Sequence, residues 1–362
     1  MTSLSIDQRI LEIEEEIRKT PYHKATEHHI GRLKARIAKL KEEQIERDFK
    51  SHEGGGYAIK KTGDASVVLV GPPSVGKSIL LNKLTNAESK VADYDFTTTN
   101  VIPGMLDYKG AKIQIFDVPG IIGGAAKGRG RGKEVLSIAR NADLIMVMVD
   151  VKTLREIPEI LRELHEVGVR LKEEKPRVTI IKKPSGGIKV NSTTSLSLAY
   201  DTIKSLAAEF RLVNAEIIIK ENISLERLID VVSGSRAYLP YLVIVNKTDL
   251  EIPKNLAPYL SSGIEPILIS AQNDSELTEI KEKIWQLLSF IRVYLKKEEK
   301  IDFQSPLIVK KGQNLKQILE KLNICNKESF GSAKIFGSRA KFPGQEVSLD
   351  FIPTDETVVQ FV

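Results

Sequence analysis

Apolar positions in the first fifty residues recur at helical spacing. Ile6, Ile10, Ile13 and Ile17 are separated by four, three and four positions, with charged residues between them, which predicts an amphipathic helix. Thr20-Pro21 interrupts this pattern, because proline disfavours helical backbone at the residue before it. The stripe resumes at Ile30, Leu33, Ile37 and Leu40, with Thr26 as candidate N-cap. Both stripes are narrow, so the two helices are expected to pack on each other as an antiparallel hairpin. Whether that hairpin stands alone or docks elsewhere is open at this level.

Gly54-Gly55-Gly56 supplies a flexible hinge. After Gly63 the period changes: short β-branched runs at Val67–Val70, Ile113–Phe116, Leu144–Val149, Tyr241–Val245 and Ile267–Ile269 alternate with helical segments. Near-continuous apolar strands separated by helices predict an α/β layer with a parallel sheet covered on both faces. The spacing breaks once, between Val149 and Tyr241. A helix over about Leu154–Val167 fills part of that gap. Further strand-like and helical pieces at Arg177–Ile181, Gly187–Val190, Ala199–Phe210 and Ala215–Ile219 predict a small α+β insert. A helix is then expected through Ile284, Leu287, Leu288, Ile291 and Leu295. Short strands follow around Leu307–Val309, Ala333–Ile335 and Val358–Phe361, with a helix near Leu315–Leu322, as in a small β-grasp module. The expected divisions are 1–62 for the helical arm and linker, 63–290 for the main α/β domain interrupted by the insert at 169–235, and 291–362 for the C-terminal module with its connecting helix.

The composition fits this multi-domain picture. The chain has 362 residues, 41% hydrophobic and 28% charged, which excludes wholesale disorder. No apolar run approaches the ~20 residues needed to span a bilayer, and the first residues, MTSLSIDQRILEIEEE, turn acidic where a signal peptide would be apolar. The single cysteine, Cys325, rules out an internal disulfide framework. A cytoplasmic setting with no membrane partner is expected. Lys and Arg outnumber Asp and Glu by 54 to 48, a surplus that permits contact with a polyanion without demanding it.

The chemistry sits in short motifs between these elements. Gly71, Pro72, Pro73, Ser74, Val75, Gly76, Lys77 and Ser78 match the phosphate-loop pattern G-x-x-x-x-G-K-[ST], after an apolar strand and before a helix opening at Ile79. Backbone N–H groups of Gly71–Ile79 would converge on phosphates at the positive end of that helix. Lys77 would reach the β- and γ-phosphates, and Ser78 would hold magnesium. Asp117-Val118-Pro119-Gly120 follows the next strand. Asp117 is placed to bind magnesium through water, and Gly120 to offer its N–H to the γ-phosphate. Asn246-Lys247-Thr248-Asp249 follows a later strand and suits guanine: Asp249 accepts from N1–H and the exocyclic amine, Asn246 bonds N7, and the Lys247 stem covers the base. Ser270-Ala271 comes after the next strand, where the Ala271 N–H suits the base O6. Between the first two motifs, Asp95-Phe96-Thr97-Thr98-Thr99 offers a threonine to complete the magnesium shell as a switch, with three threonines in competition.

The order GPPSVGKS, DFTTT, DVPGII, NKTD, SA resembles the Obg superfamily of translation GTPases. The segment KTPYHKATEHHIGRLKARIAKLKEE, the insert between DLIMVMVD and NKTD, and the C-terminal module resemble the developmentally regulated GTP-binding (DRG) proteins over essentially the whole chain. The resemblance implies a P-loop GTPase domain with a helix-turn-helix arm, a ribosomal-protein-like insert and a C-terminal TGS domain. It also implies GTP hydrolysis to GDP linked to ribosomes or ribosomal RNA. A regulatory protein partner and a monomeric chain are separate expectations. By that alignment Thr98 is the switch threonine, and the catalytic set is Lys77, Thr98 and Gly120. Some members are stimulated by K+. Potassium-dependent relatives often carry asparagine in the phosphate loop, where this chain has Ser74. Ile121 stands where many GTPases place a water-orienting glutamine.

Three features lie outside that scheme. The segment Gly123–Lys133, GGAAKGRGRGK, reads as an RNA-contacting loop, as a source of an arginine finger, or as a mobile second switch, and its glycines favour the last. His28-His29 suits a capping or surface role, and Trp285 a buried helix face. Two functions compete: a slow GTPase acting as a nucleotide-dependent switch on ribosomes, and a scaffold that holds the nucleotide while its terminal modules bind RNA or ribosome. The motifs all lie between Gly71 and Ala271, so removing the first fifty residues or 301–362 is expected to spare guanine binding.

Overall fold

A computed structural model describes residues 5–50, 62–85, 102–118, 138, 142–253, 255–260, 264–270, 274–297, 300–322, 330–337 and 340–362. Two helices lead, α1 (Ile6–Lys19) and α2 (Glu27–Lys50). They are followed by β1 (Ala65–Val70), α3 (Lys77–Leu84), the hairpin β2 (Ile102–Tyr108) and β3 (Ala111–Asp117), and β4 (Leu144–Asp150). A 3-10 turn at Leu154–Glu156 leads into α4 (Ile157–Glu166). Then come β5 (Val169–Leu171), β6 (Val178–Lys182), β7 (Ile188–Ser192) and α5 (Tyr200–Glu209), and β8 (Ala215–Ile219), α6 (Leu225–Ser233) and β9 (Ala237–Leu239). The chain returns through β10 (Tyr241–Asn246), β11 (Ile267–Leu268) and α7 (Asp274–Leu287). It closes with β12 (Phe290–Lys297), β13 (Lys300–Ile301), β14 (Leu307–Lys310), α8 (Leu315–Lys321), β15 (Ser332–Phe336), β16 (Gln345–Ser348) and β17 (Thr357–Phe361).

These elements form two compact units, Met1–Tyr57 with Leu164–Tyr238, and Ala58–Glu163 with Leu239–Val362. In the second unit the main sheet runs β11-β10-β4-β1-β3-β2. The five apolar runs of the sequence are its five parallel strands. β2 is an addition to that expectation and makes the sheet mixed, because it pairs antiparallel with β3 from Ile102↔Asp117 to Tyr108↔Ala111. Its sequence, IPGMLDY, carries proline and glycine at positions that a central strand would fill with β-branched residues, and it is tolerated at the sheet edge. β1 and β4 are buried at every residue. Parallel pairing brings these strands' C-terminal ends, and the loops that leave them, to one edge.

The predicted helix through Ile291 and Leu295 is corrected. Helix α7 stops at Leu287, and Ser289 turns the chain at φ 54°. From Phe290 the chain is strand β12. It pairs antiparallel with β14 and parallel with β17, whose other neighbour is β15. The first and last strands lie parallel in the centre, and the Leu315 and Ile318 side chains of α8 are buried in the same core as Val293, Ile335 and Val359. This is the β-grasp arrangement. Trp285 is buried at 6% exposure and meets Tyr108 and Phe290 edge-on, as a helix core face requires.

In the first unit, Ile10 and Ile13 of α1 pack on Leu33 and Leu40 of α2, and His29 bonds Glu16 across the pair at 3.0 Å. Thr26 does not cap forward: its hydroxyl donates back to the Pro21 carbonyl at 2.6 Å and ties the connecting turn. A second face of α2, with Ala35 and Ala38, is buried in the core of the 164–238 segment beside Ile203, Leu206, Ile217 and Leu228. The hairpin is therefore not self-contained. Strands order as β6-β8-β7, antiparallel then parallel, with α5 and α6 on the inner face. Asp230 on α6 is 6% exposed and bonds Arg170 at 2.6 and 2.9 Å and Arg236 at 2.9 Å.

Candidate functional site

The loop after β1 is held by its glycines. A Cβ at Gly71 would lie 2.0 Å from the Met148 carbonyl oxygen, and one at Gly76, where φ is 98°, would lie 2.6 Å from Asn246 Nδ2. Neither position has room for a side chain. Ser74 between them adopts φ 63°, a left-handed conformation that costs a non-glycine residue about 1–3 kcal/mol and is kept where the surroundings demand it. Helix α3 then starts at Lys77 with its first N–H groups unpaired by any preceding turn, a ready anion seat.

Lys77 is 8% exposed. Its ammonium donates to the carbonyls of Gly71 at 2.9 Å and Pro72 at 2.6 Å. Burial lowers its pKa, and the Asp117 charge opposes that shift. Ser78 Oγ donates to Asp117 Oδ2 at 3.0 Å. Burial pushes the Asp117 carboxyl up, against the Ser78 hydrogen bond and the Lys77 charge. Asp117 Oδ1 is buried with no hydrogen-bond partner among the described residues. A buried, unsatisfied carboxylate oxygen beside a hydroxyl offers the hard oxygen donors that magnesium takes, directly or through water. These residues fit the ion expected from the sequence.

The motif after β10 is built onto the phosphate loop. Asn246 is 3% exposed, and its Nδ2 donates to the Val75 carbonyl at 2.7 Å. Lys247, at φ 62°, donates from Nζ to the Ser74 carbonyl at 2.9 Å and to Asp150 at 2.7 Å. The Thr248 N–H bonds the Ile269 carbonyl at 3.2 Å, which ties this turn to the segment carrying Ser270. Asp249 is exposed beside it.

Asp150 escaped the sequence reading. It ends β4 and pairs in register with Asn246. It accepts from Lys247, from the Thr153 hydroxyl at 2.9 Å and from the Lys152 N–H at 3.0 Å. Burial pushes its carboxyl up, but these hydrogen bonds outweigh it and hold the pKa below the usual carboxylate value. The available signal was positional: an acid closing a fully buried strand, as Asp117 closes β3. Thr97, Thr98, Thr99, Gly120, Ile121, Ala271, the Gly123–Lys133 loop and Cys325 lie outside the described residues.

A parallel-centred sheet whose first strand feeds a G-x-x-x-x-G-K-S loop and helix, clamped by an N-K-x-D turn, defines a P-loop GTPase. The profile described as 50S ribosome-binding GTPase matches residues 66–183, and that of the C-terminal region of the same domain matches 185–290. An uncharacterized GTP-binding protein of Methanocaldococcus jannaschii is 48% identical over 99% of this chain and 93% of its own. Developmentally-regulated G-protein 3 of Arabidopsis thaliana is 40% identical over 99% of both chains. Human developmentally-regulated GTP-binding protein 2 is 38% identical over 99% of this chain and all of its own. Among solved structures, the Schizosaccharomyces pombe YchF GTPase covers 84% of this chain and 99% of its own at 14% identity and a TM-score of 0.45. The chain belongs to the developmentally regulated GTP-binding protein family and is a GTPase.

Proposed function

We propose that this chain hydrolyses GTP slowly at the Gly71–Ser78 loop and that its nucleotide state sets its association with ribosomes. The observation that carries the reading is the double clamp of Asn246 on the Val75 carbonyl and Lys247 on the Ser74 carbonyl. It fixes the base-reading turn to the phosphate loop, so one ligand with a guanine and a phosphate chain satisfies both. In this reading Asp249 accepts from the guanine N–H groups. The Lys77 ammonium exchanges the Gly71 and Pro72 carbonyls for phosphate oxygens, and the loop N–H groups bind the rest. Ser78 and Asp117 hold magnesium, which neutralises charge on the β- and γ-phosphates when bound. Thr98 and Gly120 complete the set toward the γ-phosphate.

Hydrolysis is slow because Ile121 cannot orient water by a side-chain hydrogen bond. G proteins without a supplied cation turn over at about 10⁻⁴ to 10⁻³ s⁻¹, and a well-placed one adds about 10³ or more. Potassium beside Ser74 is the first candidate for that cation, and a side chain of a regulatory partner the second. The ribosomal role is supported by the description of the matching profile and by the family. Residues 291–362 act as a TGS-like module in that association. The test is multiple-turnover phosphate release in potassium and in sodium at equal ionic strength, with and without ribosomes. Slow turnover accelerated by potassium or ribosomes supports the reading. GTP binding with no turnover under any condition would leave only a nucleotide-holding scaffold.

A further inference from the structure

Beside the 164–238 segment, and within the same compact unit, lies a cleft of about 610 Å³. That is the size of a small-molecule site, not of a packing defect. Its floor is apolar, with Ile180, Phe210 and Leu212. Three cations, Lys39, Lys182 and Arg211, stand around it. Lys39 donates to the Glu209 carbonyl at 3.2 Å, whereas Lys182 and Arg211 are exposed and have no ion-pair partner among the described residues. Two acids share the lining. Glu42 is engaged by Ser235 and, at 3.9 Å, by Arg236, while Glu43 has no such partner among the described residues.

Arg211 occupies a costly position. It follows α5 at φ 59°, where its N–H bonds the Ala208 carbonyl at 2.9 Å and the Leu212 N–H bonds the Ala207 carbonyl at 3.0 Å. This is the left-handed C-terminal turn that glycine normally fills. An arginine held there strains the backbone to present a guanidinium at the mouth of the cleft.

We infer that this cleft binds a nucleoside phosphate, the base lying on the Phe210 floor and the phosphate meeting Arg211 and Lys182. The mixed lining selects this chemistry. A base has apolar faces for the floor and N–H donors for Glu43, and its phosphate answers the cations. An acidic peptide would answer the cations but brings no planar, N–H-bearing ring to set between Phe210 and Glu43. The ligand is either a free nucleotide or a nucleotide within single-stranded RNA. This inference does not rest on the assignment of the Gly71–Ser78 loop, whose occupancy is read separately.

The test uses the full chain saturated with GDP and a fluorescein-labelled oligouridylate decamer, followed by anisotropy across a salt series, with uridine monophosphate as competitor. Arg211→Gly is the decisive variant, because glycine suits the left-handed residue and the fold is kept or stabilised. It should weaken binding about fivefold to tenfold and lower the salt slope by about 0.7, the loss of one single-strand phosphate contact. Lys182→Ala should act in the same direction, with GDP affinity unchanged in both. Competition by uridine monophosphate at a potency matching the decamer assigns the free nucleotide, and competition only at far higher concentration assigns the strand. The inference is overturned if the parent chain binds neither the decamer nor fluorescein-labelled uridine monophosphate. Equal affinity and salt slope in Arg211→Gly, or displacement by polyglutamate as effective as by RNA, would overturn it as well.

Discussion

Asn246 at the end of β10 holds the carbonyl of Val75, in the loop after β1, at 2.7 Å. The two residues are 171 positions apart in the chain, and the bond is buried. A buried side-chain amide bonded to a loop carbonyl is worth about 1 kcal/mol net and costs more when removed from one side only. The guanine-reading turn and the phosphate loop are thereby built as one frame.

Asp249→Asn should lose preference for GTP and gain affinity for xanthine nucleotides, since an amide presents a donor where the carboxylate only accepts. Sites built on a hydrogen-bond pattern discriminate by about 10⁴ or more when it is broken. Competition of GTP against XTP for the variant measures this, and an unchanged preference would remove Asp249 from base recognition.

Lys77→Ala and Ser78→Ala should fail by different routes. The first removes a buried cation and should lower GTP affinity at any magnesium concentration. The second leaves Asp117 without its hydroxyl partner and should be partly rescued by raising magnesium. Titrations of the affinity for a non-hydrolysable GTP analogue against magnesium separate the two, and identical curves would contradict the division of roles.

Asp150→Asn removes the anchor of Lys247. The native carboxyl has a pKa below its ordinary value, so its contribution is complete above the unfolded value of 3.8 and is lost as pH falls through the lower native value. With Lys247 partly exposed, the loss at pH 7 should be about 1–2 kcal/mol after solvent screening. Urea unfolding of both proteins should show that gap near neutrality and a shrinking one as pH falls below 3.8. A gap that widens on acidification would reverse the assigned sign.

Much of this site was legible because each motif sits where an apolar run ends, and runs such as Val67–Val70 and Leu144–Val149 are unambiguous strands. Asp150 was not, since a lone acid after a strand has no motif to mark it and its meaning comes from Lys247, 97 positions later. Ile284, Leu287, Leu288, Ile291 and Leu295 satisfy a helical period across a real boundary. Only the turn at Ser289 separates helix from strand there, and nothing in its side chain announces a positive φ. On α2, the second buried face is made of alanines, which do not stand out as an apolar stripe. That face also revises the truncation experiment. Removing the first fifty residues takes Ala35 and Ala38 out of the core of the insert, so such a protein tests folding as much as binding.

Asp230→Ala should destabilise the unit containing residues 164–238 by about 3–5 kcal/mol, because it leaves Arg170 buried without its counter-ion and Arg236 with only Glu42 at 3.9 Å. Hydrogen exchange should show lost protection in α6 and β8, with GDP affinity retained. Protection equal to the parent's would mean the ion pairs carry no structural weight.

The central claim is that nucleotide state controls ribosome association, and co-sedimentation with ribosomes reads it most directly. The full chain is compared in GDP and in a non-hydrolysable GTP analogue, each at saturation and at fixed salt. A clear excess in the pellet is expected with the analogue, abolished by Asp249→Asn when only guanine nucleotide is supplied. Equal pelleting in both nucleotides, with the site shown to be filled, would contradict it.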